Sequence, residues 1–406
     1  MTPKLNSDSF CILPWIHIHT NPTGAAAPCC IAESNSDPAG VGNAKTQSLI
    51  EIVNSDKMKQ LRVDMLNGVK NPECIKCYRH DSQGVLSSRK ESNRSFSEHY
   101  ETAINSTQSD GYLTDFKMKY FDIRFNNICN FKCRTCGAPF STQWEQEDLK
   151  NNVPHARIIP KNNSPKFLQE VVDQIENIEL AYFAGGEPLI TEEHYILLEE
   201  MIKQNRTDIT LRYSTNLSNL KFKDKDLLGL WKHFSNKIQV YASIDHFGKR
   251  AEYIRNGTEW TSVEENFIKI RESENIQLQI NSVLSVFNVL TINDFYQYLI
   301  DRKLYNPTDG MYALYNLTEP NFLSIGILPA EHKTLAKQSI QSGVDILADA
   351  GFSLGHANQL KQAGNWLFST NTWEENKEEF RNETRRLDAI RGEDFAKTFP
   401  ELAGLL

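Results

Sequence analysis

Met118-Lys119-Tyr120-Phe121-Asp122-Ile123-Arg124-Phe125, followed after three residues by Cys129-Asn130-Phe131-Lys132-Cys133-Arg134-Thr135-Cys136, decides how this chain is read. The first run alternates apolar and polar residues as a strand does, and the second puts three thiols into the loop that follows it. Sulfur is the soft ligand that iron–sulfur clusters require, and short spacings let one loop reach three irons. A fourth iron is then left without a protein ligand. Such an open iron can bind a small molecule through its amino and carboxylate groups, which turns an electron-transfer cluster into a catalytic one. The competing reading is a structural zinc loop. It needs a fourth Cys or His close by, and none occurs between Cys136 and His155.

The C-x3-C-x2-C spacing resembles the signature of the radical S-adenosylmethionine (radical SAM) enzymes. The resemblance implies that Cys129, Cys133 and Cys136 hold a 4Fe-4S cluster whose open iron binds SAM. One-electron reduction then cleaves SAM to methionine and a 5′-deoxyadenosyl radical, which abstracts hydrogen from a substrate. A reducing partner such as flavodoxin or ferredoxin is implied as well. One departure is Thr135, where the family usually has an aromatic or large apolar residue.

Ala184-Gly185-Gly186-Glu187-Pro188 closes the second strand and is similar to the GGEP motif of the same enzymes. Paired glycines let a ligand approach the backbone, and the carbonyls there can accept from an ammonium group. By resemblance, Gly185, Gly186 and Glu187 hold the methionyl amino group of SAM. Ser214-Thr215-Asn216 and Ala242-Ser243-Ile244-Asp245 end the next two strands. Ser-Ile-Asp resembles the Ser-Leu-Asp of relatives that carry an auxiliary-cluster (SPASM/twitch) module, and Tyr253-Ile254-Arg255 resembles their Tyr-x-Arg. Asn216, Ser243, Arg255 and Asn281 are thereby candidates for SAM contact; the alternative is that they cap the following helices.

The chain has 406 residues, 40% of them hydrophobic, which suits two or three domains with a large core. Acidic residues outnumber basic ones, 52 to 44, so the formal charge of −8 gives no support to a nucleic-acid partner. No window of about 18 uninterrupted apolar residues exists, and Met1-Thr2-Pro3-Lys4-Leu5-Asn6 lacks the apolar stretch of a signal peptide. The expectation is a cytoplasmic protein without a membrane partner. Its 8 cysteines, clustered and without a targeting segment, read as reduced metal ligands rather than disulfides.

Five of those cysteines, Cys11, Cys29, Cys30, Cys74 and Cys77, lie near the N-terminus. The run from Trp15 to Thr20 alternates as a half-buried strand does, Asn21-Pro22-Thr23-Gly24 is turn chemistry, and a second strand reaches Pro28-Cys29-Cys30. A helix is expected across Leu49 to Leu66, after which the chain turns at Asn71-Pro72 into Cys74-Ile75-Lys76-Cys77. From Phe10 to about Tyr78 this segment resembles the SPASM/twitch module, although that module usually follows the catalytic domain. The resemblance implies an auxiliary iron–sulfur cluster on Cys11, Cys29, Cys74 and Cys77; a zinc ribbon with the same four thiolates is the alternative. Consecutive strand residues point to opposite faces, so Cys29 and Cys30 are not both expected to serve one cluster, and the family pattern favours Cys29. His17 and His19 are read as surface or hydrogen-bonded histidines rather than ligands.

From Lys117 onward, strand-like runs at 178–183, 209–213, 238–243, 276–284 and 311–314 alternate with amphipathic helical patterns, which predicts a parallel sheet. With the run before Cys129 they make six strands, enough for a partial (β/α)6 radical SAM barrel whose ligands bind at the C-terminal strand ends. The expected fold is α/β, preceded by a small α+β hairpin-helix module. The expected divisions are 1–95 for the SPASM/twitch-like module, 96–116 for a linker, 117–328 for the barrel and 329–406 for a C-terminal helical region. The resemblance implies an enzyme that oxidises or cross-links a peptide or protein side chain. A small metabolite such as a sugar or nucleotide is the other substrate class, and a non-catalytic electron-transfer or scaffold protein the non-enzymatic alternative. No residue is singled out for hydrogen abstraction itself.

Overall fold

All six alternating runs form strands in the computed structural model, which describes residues 7–84, 86–154, 156–159, 164–308 and 313–406. They are Tyr120–Ile123, Leu180–Phe183, Thr210–Thr215, Ile238–Ser243, Ile276–Leu284 and Ala313–Asn316. The expected start of the last at Met311 lies outside the described residues, as do residues 1–6. The chain forms two compact units, one of residues 1–129, 138–213 and 221–238, the other of 130–137, 214–220 and 239–406.

In the first unit, Thr210–Thr215 pairs in parallel with Leu180–Phe183, which pairs in parallel with Tyr120–Ile123. Alternation explains the layers: Leu211, Tyr213 and Thr215 are buried on one face while Thr210, Arg212 and Ser214 are half-buried on the other. Helices Pro165–Val172 and Glu192–Lys203 bury Phe167, Val171, Leu197, Leu198 and Met201.

The N-terminal strand differs from expectation. Leu13–Ile16 is a turn of helix with a proline in its first turn, and the strand is only His17–Thr20. It is buried throughout rather than half-exposed, because it pairs on both sides: antiparallel with Ala25–Ala27, and in parallel with Tyr120–Ile123, His19 opposite Asp122. The hairpin therefore extends the sheet of the first unit. Cys29 and Cys30 lie beyond the Ala25–Ala27 strand, so strand alternation does not govern them.

The helix expected across Leu49 to Leu66 is two, Leu49–Val53 and Asp56–Leu66. Ser48 and Glu51 form a reciprocal capping box at the first, and Ser55 is the N-cap residue of the second. Arg62 on the second helix is fully buried and donates to the carbonyls of Gly111 at 2.7 Å, Pro14 at 2.9 Å and Val53 at 2.9 Å. Residues 96–116, read as a linker, carry helix Tyr100–Asn105 and are tied down. Asn54 pairs with both backbone groups of Leu113, which is buried.

In the second unit Ile276–Leu284 pairs in parallel with Ala313–Asn316, and Ile238–Ser243 neighbours it on the other side. Helices Ala330–Asp349, Leu354–Ser369 and Trp373–Arg391 follow. The tail beyond them is held by an aromatic cluster: Phe395 and Phe399 are fully buried, with ring centroids 6.2 and 5.6 Å from Phe287 and 6.3 and 5.1 Å from Tyr253. Among the described residues no helix is long and apolar enough to cross a membrane.

Candidate cluster and SAM site

Cys129 ends a segment of the first unit that is fixed on two sides. Its N–H faces the Thr142 hydroxyl at 3.4 Å, and the Thr142 N–H donates to Asn127 carbonyl at 2.9 Å. On the other side the Glu187 N–H donates to the Ile128 carbonyl at 2.7 Å. This brings the Gly-Gly-Glu-Pro turn against the residues just before the cysteine. A Cβ on Gly186 would stand 2.1 Å from the Ile128 oxygen, and Gly185 has φ +126°, a conformation open to glycine. Glu187 is buried, and its carboxylate accepts from the Leu189 N–H at 3.0 Å.

Residues 130–137, with Cys133 and Cys136, belong to the second unit. Cys133 is paired in a short antiparallel ladder with Arg255. The Arg255 guanidinium lies 4.0 Å from the Cys133 sulfur and 2.8 Å from the Asp245 carboxylate. Arg255 thus braces Cys133 from within the unit. Burial pushes the Cys133 thiol up to about 12, partly offset by the Arg255 charge. Asn216, the next SAM candidate, donates to the Asn130 side chain at 3.1 Å and so holds the same arc. Asp245 also accepts from the Val283 N–H at 2.8 Å, tying together two strand ends. Ser243 is the half-buried last residue of its strand, and the Asn281 side-chain oxygen is buried without a hydrogen-bond partner. An orphaned acceptor inside the strand Ile276–Leu284 fits an incoming donor such as a ligand hydroxyl or ammonium.

The N-terminal cysteines form a second group inside the first unit. Burial is the largest influence on Cys11, Cys29, Cys74 and Cys77, raising every thiol above its ordinary range; Cys74 is pushed up to about 12. Cys11 feels the charges of Cys74 and Cys77, Cys29 those of Cys30, Cys11 and Cys74, and Cys74 that of Cys77. Two buried and two half-buried thiols whose deprotonation burial opposes ionise readily only with a cationic centre between them, so this donor set fits an iron–sulfur cluster. Cys30 differs. After burial, its largest influences are Asp122 and Arg124, and its thiol is pushed up to about 11.

Sequence reasoning passed over two constellations. His19 Nδ1 lies 3.0 Å from the Asp122 carboxylate, both fully buried; burial alone would raise the Asp122 pKa, but His19 and Arg124 reverse this and hold it well below the usual range. Arg134, between Cys133 and Cys136, is buried against two carboxylates from the C-terminal region, Asp388 at 2.5 Å and Glu393 at 2.6 Å. The only sequence signal was a cation placed inside a thiolate loop. The helix Trp373–Arg391 that carries Asp388 buries Phe380, Thr384 and Leu387.

Two comparisons with protein families agree with this geometry. Residues 123–299 match the model of the radical SAM superfamily. Residues 11–78 match SPASM, an iron–sulfur cluster-binding domain, which here precedes the catalytic domain. Together these domains imply 4Fe-4S chemistry, an auxiliary iron–sulfur centre and SAM.

A curated relative, the GTP 3′,8-cyclase of Nautilia profundicola, is 29% identical over 100 residues, 25% of this chain and 28% of that protein. The solved structure of native anSMEcpe with bound AdoMet and the Cp18Cys peptide is 16% identical, covers 58% of this chain and 62% of its own, and has a TM-score of 0.40. Streptococcus suis SuiB is 12% identical, covers 77% of this chain and 66% of its own, and has a TM-score of 0.38. The chain thus spans little more than a quarter of the curated relative it matches.

Proposed function

We propose that this radical SAM enzyme oxidises or cross-links a side chain of a peptide or protein, with the N-terminal centre taking the electron left behind. The observation that carries the reading is a second set of four thiols, Cys11, Cys29, Cys74 and Cys77, within the SPASM match, two of them buried and two half-buried. Four thiolates leave no iron open for SAM, so that centre suits electron transfer, and a one-electron acceptor suits an overall oxidation. Cys129, Cys133 and Cys136 would hold the catalytic cluster. When bound there, SAM supplies a 5′-deoxyadenosyl radical after one-electron reduction by a flavodoxin- or ferredoxin-like partner.

The protein's share is placement. Gly185 and Gly186 keep the backbone before Cys129 free of side chains, and their carbonyls, with Glu187, would hold the methionyl ammonium. Ser243, Asn216 and Asn281 would offer polar contacts to SAM, while Arg255 would act through Cys133. The local match to GTP 3′,8-cyclase favours a second reading, a nucleotide substrate. Anaerobically reconstituted, reduced protein should form 5′-deoxyadenosine from SAM; its absence would leave only a non-catalytic iron–sulfur protein. Deuterium transfer to 5′-deoxyadenosine from labelled peptides, but not from labelled GTP, supports the first reading, and the reverse supports the second.

A further inference from the structure

Arg134 sits between two residues read as cluster ligands, yet its side chain faces away from solvent into the C-terminal region. Its relative side-chain exposure is 1%, against 15% for Asp388 and 16% for Glu393. One terminal nitrogen, Nη2, donates to both carboxylates, at 2.5 and 2.6 Å. The guanidinium carbon lies 3.7 Å from the centroid of the Tyr253 ring. That tyrosine donates its hydroxyl to Asp388 at 2.7 Å, and Asn256 donates to Glu393 at 2.7 Å.

The backbone is tied in parallel. The Arg134 N–H donates to Ile254 carbonyl at 2.8 Å, one step from the Cys133–Arg255 pairing. Asp388 is itself fixed, accepting from the Phe395 N–H at 2.7 Å, and Gly392 at φ +64° lets the helix end so that Glu393 turns back. Residues some 250 positions apart therefore close one network of charge-assisted bonds, the strongest ordinary kind.

We propose that Asp388 and Glu393 are positioning residues of the catalytic centre: they hold Arg134, and through it the Cys133–Cys136 arc, and they leave one net negative charge beside that arc. The inference rests on the reading of Cys133 and Cys136 as cluster ligands. Two carboxylates against one guanidinium oppose the arrival of an electron, so the network holds the reduction potential of the neighbouring cluster down. This gives the C-terminal region a part in the catalytic centre, beyond closing the fold.

The test uses the full chain. Asp388→Asn with Glu393→Gln keeps shape and removes two negative charges, Arg134→Gln removes the positive one, and Arg134→Lys keeps the charge but loses the fork. The cluster midpoint potential, read by EPR-monitored titration without substrate, should rise in the double variant and fall in Arg134→Gln. Arg134→Lys should stay near wild type in potential but show a weaker SAM-induced change in the EPR signal. Shifts of opposite sign are not produced by loosening alone. In the metal-free proteins, alkylation of Cys133 should accelerate at least tenfold in the double variant, with Cys129 and Cys74 unchanged. Potentials, SAM response and Cys133 alkylation all equal to wild type would overturn the proposal. So would equal acceleration at Cys133, Cys129 and Cys74, which would mark general unfolding. If wild type shows no SAM-induced change, the cofactor reading has failed, and the alkylation arm still decides whether the network positions the arc.

Discussion

Gly186 is pressed against Ile128: a Cβ on the glycine would stand 2.1 Å from the Ile128 carbonyl oxygen and 2.7 Å from its carbon. The Gly-Gly-Glu-Pro turn and the residue before Cys129 are therefore one piece of backbone packing, and the glycine is demanded by the protein before any ligand arrives.

Gly186→Ala should already destabilise the metal-free protein, by on the order of 1–3 kcal/mol as overpacking does, and Gly186→Val by more. Urea denaturation of the apo-protein checks this. Unchanged stability in both variants together with weakened SAM binding would show that the glycine serves only the ligand.

Alanine at Cys129, Cys133 or Cys136 should abolish 5′-deoxyadenosine formation, because a cluster short of one thiolate loses its distinct open iron. Turnover persisting in all three single variants would remove the cofactor assignment.

Iron content separates Cys29 from Cys30. Wild-type protein should hold about eight irons if both clusters are of the four-iron kind, and Cys29→Ala, or Cys74→Ala with Cys77→Ala, should lose about four. Cys30→Ala should keep them, since the largest charges acting on Cys30 are Asp122 and Arg124, with Cys77 only after them. Loss of iron in Cys30→Ala and its retention in Cys29→Ala would reverse the assignment.

His194 gives an acid limit on stability. Burial depresses its pKa from 6.5 to about 3, and its ring meets Tyr213 hydroxyl at 3.1 Å. A depressed folded-state pKa means the contribution is whole above about pH 6.5 and is lost as pH falls toward the folded value, by about 2 kcal/mol at pH 5. His194→Gln cannot titrate, so the stability gap between wild type and variant should narrow by about that amount between pH 7 and pH 5. A gap constant with pH would mean that His194 is not buried neutral.

The sequence carried the strands best where they alternate over a buried face, as in Ile238–Ser243, which with Ile276–Leu284 matches its expected limits. Boundaries failed where side chains compete with the backbone, as where Asn54 and Ser55 split one expected helix into two. Of the candidate site, the cysteines and glycines were legible from spacing. Arg255 and Asn216 could be named as candidates by resemblance, but their contacts with Cys133 and Asn130 could not, since these depend on which strand ends meet. Arg134 with Asp388 and Glu393 was invisible, because a pairing across some 250 residues leaves no local pattern.

The parallel pairing of His17–Thr20 with Tyr120–Ile123 has a consequence for inheritance. A domain joined by a tether can be cut out, moved to the other end of a gene, or exchanged between relatives while both halves still fold. Here the cysteine-bearing hairpin borrows its neighbouring strand from the catalytic domain, and Arg62 borrows an acceptor at Gly111. An excised 1–95 fragment would expose a bare strand edge and a buried guanidinium short of one partner. The hairpin and the strand it pairs with fold as parts of one unit.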